Sequence, residues 1–98
     1  MTDIHIKQMP VFKKAYKKFR IKERIQVDRA VRDITEHPEL GREKKGDLSG
    51  IFVYKFKIDK REILLAYEWS RYERLLLALG THENFYRDLK KRVSHRHI

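Results

Sequence analysis

The chain has 98 residues, no cysteine, and a formal net charge of +10 from 24 Lys and Arg against 14 Asp and Glu. The length predicts a single domain over residues 1–98 with one modest core, and the lack of cysteine excludes disulfides and thiolate metal sites. The charge favours an anionic partner such as RNA, DNA, an acidic protein or a membrane surface, or else serves solubility alone.

The N-terminal residues lack the charged and then apolar pattern of a signal peptide, and no stretch of the sequence approaches the ~20 apolar residues of a membrane span. We therefore expect a soluble protein with no membrane partner. A cysteine-free chain has no need of an oxidising compartment, so the expected location is the cytoplasm.

Residues 3–8 alternate polar and apolar side chains, which predicts a short strand at a sheet edge or paired with the C-terminal strands. Pro10 then starts a helix whose apolar residues recur at helical spacing as far as Phe19. The opposite face of this helix is basic, with Lys13, Lys17 and Lys18 among its residues.

A second helical pattern covers residues 22–36, with Ile25, Val31 and Ile34 expected to point inward. The short connection predicts that the two helices form an antiparallel hairpin. Pro38 ends the second helix, because the residue before a proline is pushed out of the helical region. Residues 39–50, rich in glycine and charge, form the longest predicted loop.

Three strands follow, at residues 51–58, 63–69 and 72–79, separated by polar turns. The third is apolar on both faces, which is typical of an interior strand. With a last helix after Gly80, the order is βααβββα and the predicted class is α+β, with the helix pair on one face of the sheet and the other face partly bare. Residues 91–98 read as a flexible basic tail.

The stretch from Gly80 to Tyr86 places His82 and Tyr86 four residues apart at the junction of a strand and a helix, so both lie on one helix face. His82 can act as a general acid or base near neutral pH, or can be an ordinary surface histidine. Tyr86 can fill the core, stack on a base or donate a proton. The scattered histidines do not indicate a metal site, and no phosphate-binding glycine loop indicates a cofactor.

Lys55 and Lys57 share the bare face of one predicted strand. Two neighbouring lysines repel each other unless an anion lies close to them, which suits phosphate binding. A solvated strand face that discourages edge pairing explains the same spacing. The spacing alone leaves both interpretations open.

The order of these patterns resembles the RelE/ParE superfamily of bacterial toxins from type II toxin-antitoxin systems. Leu48-Ser49-Gly50 precedes a Tyr-Lys-x-Lys strand, an apolar strand ends in Leu-Ala-Tyr, and Leu-Gly-x-His-x-x-x-Tyr opens the last helix. The resemblance extends from about Val11 to Lys91 and implies a RelE/ParE-like fold and a cognate antitoxin as partner.

The resemblance implies two different activities. RelE-like members are mRNA interferases, metal-independent endoribonucleases that cut mRNA on the ribosome and stop translation. ParE-like members inhibit DNA gyrase. For the first activity, Lys55 and Lys57 match the paired lysines that hold the phosphate, Tyr86 matches the helix tyrosine, and His82 stands where some members have arginine and others histidine.

The sequence departs from the RelE-like pattern at Leu64, where an arginine is usual. Arg61 in the preceding turn is the candidate to replace that cation, and its failure to do so would favour gyrase inhibition. Under the nuclease hypothesis Lys13, Lys17 and Lys18 bind ribosomal RNA. The antitoxin is expected to cover the bare face around Leu64, Ala66, Leu76 and Ala78 with an acidic amphipathic segment.

Overall fold

The computed structural model of the protein describes residues 3–83, 85–87 and 89. The helices are α1 (Pro10–Lys18) and α2 (Ile21–Glu36), and short 3-10 turns occur at Pro38–Leu40 and Gly46–Leu48. The strands are β1 (His5–Gln8), β2 (Arg42–Glu43), β3 (Phe52–Ile58), β4 (Arg61–Ser70) and β5 (Glu73–Gly80). Helical backbone also occurs at residues 82, 83, 85–87 and 89, here called the C-terminal helical segment. The predicted tail at residues 91–98 lies outside the described residues.

The five strands form one sheet in the order β1-β5-β4-β3-β2. β1 is parallel to β5, and the remaining neighbours are antiparallel. The predicted α+β class is confirmed, including the N-terminal edge strand, the interior position of β5 and the final helix. The two-residue strand β2 was not predicted, because Arg42 and Glu43 are too few to show an alternating pattern within a charged segment.

Side chains fix the junction between α1 and α2. Glu23, in the first turn of α2, accepts the backbone N–H of Arg20 at 2.8 Å. Arg24 donates to the carbonyls of Tyr16 and Lys17 at the end of α1, where helix carbonyls lack partners within the helix. The hairpin geometry is therefore set by local hydrogen bonds as well as by burial.

The inward stripe of α2 consists of Val27, Ala30 and Ile34. The prediction that Ile25 points inward is wrong, since its side chain is 55% exposed. Ile25 lies two residues from Val27, which is about 200° around a helix of 3.6 residues per turn. Only one of the two positions can face the sheet, and the spacing to Ala30 and Ile34 selects Val27.

The helix side of the sheet holds the larger core, built from both helices and from residues of β3, β4 and β5. Its buried members are Phe12, Val27, Ala30, Ile34, Ile58, Ile63, Leu65, Tyr67, Leu76 and Leu79. Burial raises the pKa of the Tyr67 phenol, whose hydroxyl donates to the Pro38 carbonyl and accepts the Gly41 N–H. These bonds attach the 3-10 turn that follows α2 to the sheet.

Arg74 of β5 is buried on the same side, at 4% exposure. Its guanidinium donates to the carbonyl of Thr35 at 2.9 Å and to that of Ser70 at 2.6 Å, and it lies over the ring of Trp69. Thr35 is in the last turn of α2, where a cation is favoured by the helix dipole. Arg74 therefore connects the C-terminal end of α2 to the sheet.

The opposite face is not bare. Leu64 and Ala66 are fully buried there, in a second core with Phe85 and Leu89 of the C-terminal helical segment. The predicted antitoxin surface on this face is therefore occupied by the chain itself. Leu76 is not on this face at all: a bulge between Ala66 and Tyr67 shifts the register, which turns Leu76 into the helix-side core.

Candidate functional site

The C-terminal helical segment lies across the face of the sheet opposite α1 and α2. It begins with a hydrogen bond from the Phe85 N–H to the Thr81 carbonyl, immediately after β5 ends. The buried side chains of Phe85 and Leu89 lie four residues apart and form its inner stripe. Burial of this stripe fixes where the neighbouring, more exposed side chains of the segment point.

His82 and Tyr86 form a second stripe on the same segment. Their ring centroids are 5.0 Å apart in an edge-to-face arrangement. Tyr86 follows Phe85, so it lies about 100° around the helix from the inner stripe and points along the side of the segment. The predicted convergence of imidazole and phenol is present, with His82 exposed and Tyr86 half-buried.

Lys44 shows which edge of the sheet the His82 and Tyr86 stripe faces. Its Nζ lies over the Tyr86 ring, 5.4 Å from the centroid, and Lys44 directly follows β2. The His82 and Tyr86 stripe therefore faces the β2 and β3 edge of the sheet. Sequence reasoning missed Lys44, because it lies in the loop segment of residues 39–50 and matches no motif.

Lys55 and Lys57 are exposed on β3, on the same face of the sheet as the C-terminal helical segment. Lys55 pairs with Leu64 of β4, which in turn pairs with Gly80 at the end of β5. Two interstrand spacings, about 10 Å, separate the Lys55 and Gly80 backbones. Lys55 therefore lies in the same cross-strand row as Leu64 and Gly80, and Gly80 is two residues before His82.

Lys57 differs from Lys55 in its neighbour. The cross-strand partner of Lys57 is Glu62, whereas that of Lys55 is the apolar Leu64. A carboxylate opposite a lysine reduces its attraction for another anion. Arg42 is a fourth cation on this face, after Lys44, Lys55 and Lys57, because it pairs with Val53, two residues before Lys55. We name Lys44, Lys55, His82 and Tyr86 the edge cluster.

Arg61 is not brought to the edge cluster. Its guanidinium forms an ion pair with Glu23 of α2, on the helix side of the sheet. Alternation along β4 places Arg61 on the face of Ile63 and Leu65, opposite to that of Leu64. Arg61 therefore does not supply the cation missing at Leu64, and Leu64 itself is buried beneath the C-terminal helical segment.

Lys13, Lys17 and Lys18 are exposed on α1. Because α1 packs on the helix side of the sheet, these lysines lie on the opposite side of the molecule from the edge cluster. They form a separate basic surface that does not belong to the candidate site.

A groove of about 550 Å³ separates β1 from the helix pair. Ile6, Phe12, Tyr16, Val31 and Leu76 supply its apolar lining. Asp28 accepts a hydrogen bond from the Tyr16 hydroxyl at this groove and thereby raises the pKa of the phenol. The polar part of the lining includes Asp28, Arg32 and Glu36, so the groove combines an apolar floor with charged side chains.

Within residues 3–83, 85–87 and 89, no three histidine and acidic side chains converge as metal ligands would. In the same part of the chain, no helix is both long and apolar enough to cross a membrane.

The family model of the ParE-like toxin of type II bacterial toxin-antitoxin systems matches residues 6–90, and the chain belongs to this family. The resemblance inferred from the motifs is thereby confirmed. A comparison with curated protein sequences gives no match.

Two solved structures show the same fold at low sequence identity. A double arginine-to-alanine variant of the E. coli toxin RelE in the free state is 18% identical, with a TM-score of 0.69 over 93% of this chain and 98% of that chain. The toxin-antitoxin complex E. coli RelBE is 16% identical, with a TM-score of 0.62 over 82% of this chain and 98% of that chain. The protein is thus a type II toxin with a RelE-like fold.

Proposed function

We propose that this toxin is a ribosome-dependent endoribonuclease that cuts mRNA and thereby stops translation. The observation that carries the proposal is the edge cluster. Its His82 and Tyr86 ring centroids are 5.0 Å apart, and the Lys44 Nζ lies 5.4 Å from the Tyr86 centroid. These groups combine proton transfer with positive charge, which is what cleavage of a phosphodiester by its own 2′-hydroxyl requires.

In the proposed reaction the ribose 2′-oxygen attacks the adjacent phosphorus and the bond to the 5′-oxygen of the next nucleotide breaks. The products are a 2′,3′-cyclic phosphate and a free 5′-hydroxyl. His82 and Tyr86 carry out the two proton transfers. One of them accepts the proton that leaves the 2′-hydroxyl, and the other donates a proton to the 5′-oxygen. Lys55, with Lys57 as a weaker contributor, stabilises the extra negative charge on the phosphorus oxygens.

Recruitment to the ribosome is a separate part of the proposal. Lys13, Lys17 and Lys18 on α1 bind ribosomal RNA through its phosphates, without reading sequence. Because such binding releases counterions, ribosome association weakens steeply with salt. Replacing all three lysines should reduce that salt dependence and leave the edge cluster intact.

The test of the nuclease proposal is cleavage of a translated mRNA by purified toxin, with mapped mRNA ends. His82→Ala should reduce the rate by roughly 10²-fold or more, since removing a general acid or base typically costs that much. His5→Ala is the matched control, because His5 is exposed on β1 at the other edge of the sheet. Equal cleavage by wild type and His82→Ala would remove His82 from the mechanism.

A specific observation also favours inhibition of DNA gyrase. Leu64 is buried where RelE-like toxins usually have an arginine, and Arg61 is paired with Glu23 on the other face. The matching family model is that of a ParE-like toxin. A supercoiling assay separates the two activities: a stoichiometric loss of gyrase activity, with no mRNA cleavage by wild type, would replace the nuclease proposal.

The proposed partner in the cell is a cognate antitoxin, as the E. coli RelBE complex has. Because the C-terminal helical segment covers the second core, the proposed apolar contact of the antitoxin is the groove beside β1, where Ile6 is 45% exposed. The net charge of +10 favours an acidic antitoxin segment. Ile6→Asp should weaken copurification of the antitoxin, and Ile25→Asp, which changes an exposed isoleucine on α2, should not.

A further inference from the structure

We infer that Lys44 is the phosphate-binding cation that replaces the arginine missing at Leu64, an inference that rests on the proposed nuclease function. The positive charge of the site then comes from the residue after β2 and not from β4. Lys44 meets the substrate phosphate from the side of Tyr86, whereas a side chain at position 64 would rise from the centre of the sheet.

The position of Lys44 in the edge cluster supports this inference. The Lys44 ammonium lies over the Tyr86 ring, and the same ring contacts His82 edge-on, so cation, phenol and imidazole are consecutive neighbours. A phosphate bound beside His82 and Tyr86 would lie within reach of the flexible end of Lys44. The other candidate, Arg61, is held by Glu23 on the opposite face.

The charge of Lys44 is not neutralised by any described side chain. Among the side chains that the structure describes, no carboxylate lies within ion-pair distance of its ammonium. Its contact is the negative face of an aromatic ring, which attracts a cation without cancelling its charge. Partial burial by that ring also reduces solvent screening of the field at a nearby anion.

The backbone at Lys44 is fixed, which a binding residue requires. The Lys44 N–H donates to the Ile51 carbonyl at 2.8 Å, and Glu43 accepts the Gly50 N–H at 3.2 Å. Gly46 and Gly50 adopt positive φ angles of 69° and 88° in the intervening turn, a conformation that glycine adopts without steric cost. The loop therefore delivers Lys44 to Tyr86 from a defined position.

The experiment compares three variants in translation-dependent mRNA cleavage. Lys44→Met keeps the aliphatic length that packs on Tyr86 but removes the charge, and Lys44→Arg restores a charge. Lys45→Met is the matched control, because it removes the same charge from the exposed neighbouring residue. Urea unfolding of each variant verifies that the fold is kept.

The expected result is a loss of about 10²-fold in kcat/KM for Lys44→Met, the typical cost of removing one charge-stabilising group. Lys44→Arg should recover most of that loss, and Lys45→Met should cleave like wild type. A merely structural role for Lys44 predicts instead that Lys44→Met loses stability in urea together with its cleavage activity. Equal cleavage by Lys44→Met and Lys45→Met would overturn the inference, while cleavage by wild type would still uphold the nuclease function.

If wild type does not cleave mRNA, the nuclease proposal fails and a binding measurement decides the inference. The probe is a trinucleotide RNA with 2′-O-methyl groups, titrated while NMR signals of Lys44 and Tyr86 are followed. Lys44→Met should weaken binding several-fold, less than it slows cleavage, because the bound phosphodiester carries less charge than the transition state. No saturable binding by wild type, or equal binding by both methionine variants, would overturn the inference.

Discussion

Three arginines on the helix side of the sheet have defined partners: Arg24 binds helix carbonyls, Arg61 binds Glu23, and Arg74 binds the end of α2. On the opposite side, Lys55 stands beside Leu64 and Lys44 lies over an aromatic ring. The first group of cations holds elements together. In the proposed site the second group binds an anion, and among the described side chains no carboxylate forms an ion pair with Lys44 or Lys55.

The largest expected effect concerns a structural cation. Arg74→Ala should lower the free energy of unfolding by about 3 kcal/mol, because several carbonyls lose charged hydrogen bonds in a buried place. Arg71→Ala, in the exposed turn before β5, should cost less than about 1 kcal/mol. Urea unfolding measures both values, and similar losses for the two variants would contradict the structural role of Arg74.

Lys55→Ala should give the next largest effect, on activity and not on stability. Cleavage of translated mRNA should fall by about 10²-fold, which corresponds to about 2.7 kcal/mol in the barrier. Lys57→Ala should reduce cleavage less, by about tenfold, because Glu62 opposes that lysine. A larger loss for Lys57→Ala than for Lys55→Ala would reverse the assignment of the two lysines.

Tyr67→Phe should cost about 1–3 kcal/mol, because the Pro38 carbonyl and the Gly41 N–H lose their buried partner. The effect also depends on pH. Burial raises the folded-state pKa of Tyr67 above its ordinary value of 10.0, so its contribution is present in full below pH 10 and is lost as pH rises through the folded-state pKa.

Unfolding at pH 8 and at pH 11 measures this dependence. Wild type should lose more stability between the two pH values than Tyr67→Phe does. Tyr54 has a raised pKa for the same cause, burial, and remains in both proteins, so the difference between them isolates Tyr67. An identical pH dependence of both proteins would contradict the prediction.

The smallest effect is expected for Arg61→Ala. Its ion pair with Glu23 is partly exposed to solvent, so its loss should cost less than about 1 kcal/mol. Cleavage should remain at the wild-type rate, because Arg61 lies on the helix side of the sheet. A marked loss of cleavage with little loss of stability would show that Arg61 reaches the substrate after all.

Local patterns predicted the elements well where the pattern was long. Pro10, the alternation along β3 and the apolar run of β5 were sufficient for the main architecture, and the spacing of His82 and Tyr86 placed the two rings together. Features set by tertiary contacts were not predictable. β2 exists only because β3 pairs with it, and Leu76 changes face only because of a bulge.

The same limit applies to the candidate site. Lys44 joins it through a contact between the loop after β2 and the C-terminal helical segment, which are far apart in the sequence. Arg61 leaves it because strand alternation, rather than proximity to Leu64 in the chain, decides the face of a side chain. The first error was a missed long-range contact, and the second was an error of side-chain direction.

The parallel pairing of β1 with β5 has a consequence for synthesis. β1 receives its partner only after residues 73–76 of β5 have been made, and the second core forms only after Phe85 and Leu89 have been made. Contacts so distant in sequence form slowly and late. The fold on the ribosome is therefore incomplete until this C-terminal part has been made, and His82, Tyr86 and Lys44 cannot come together before then.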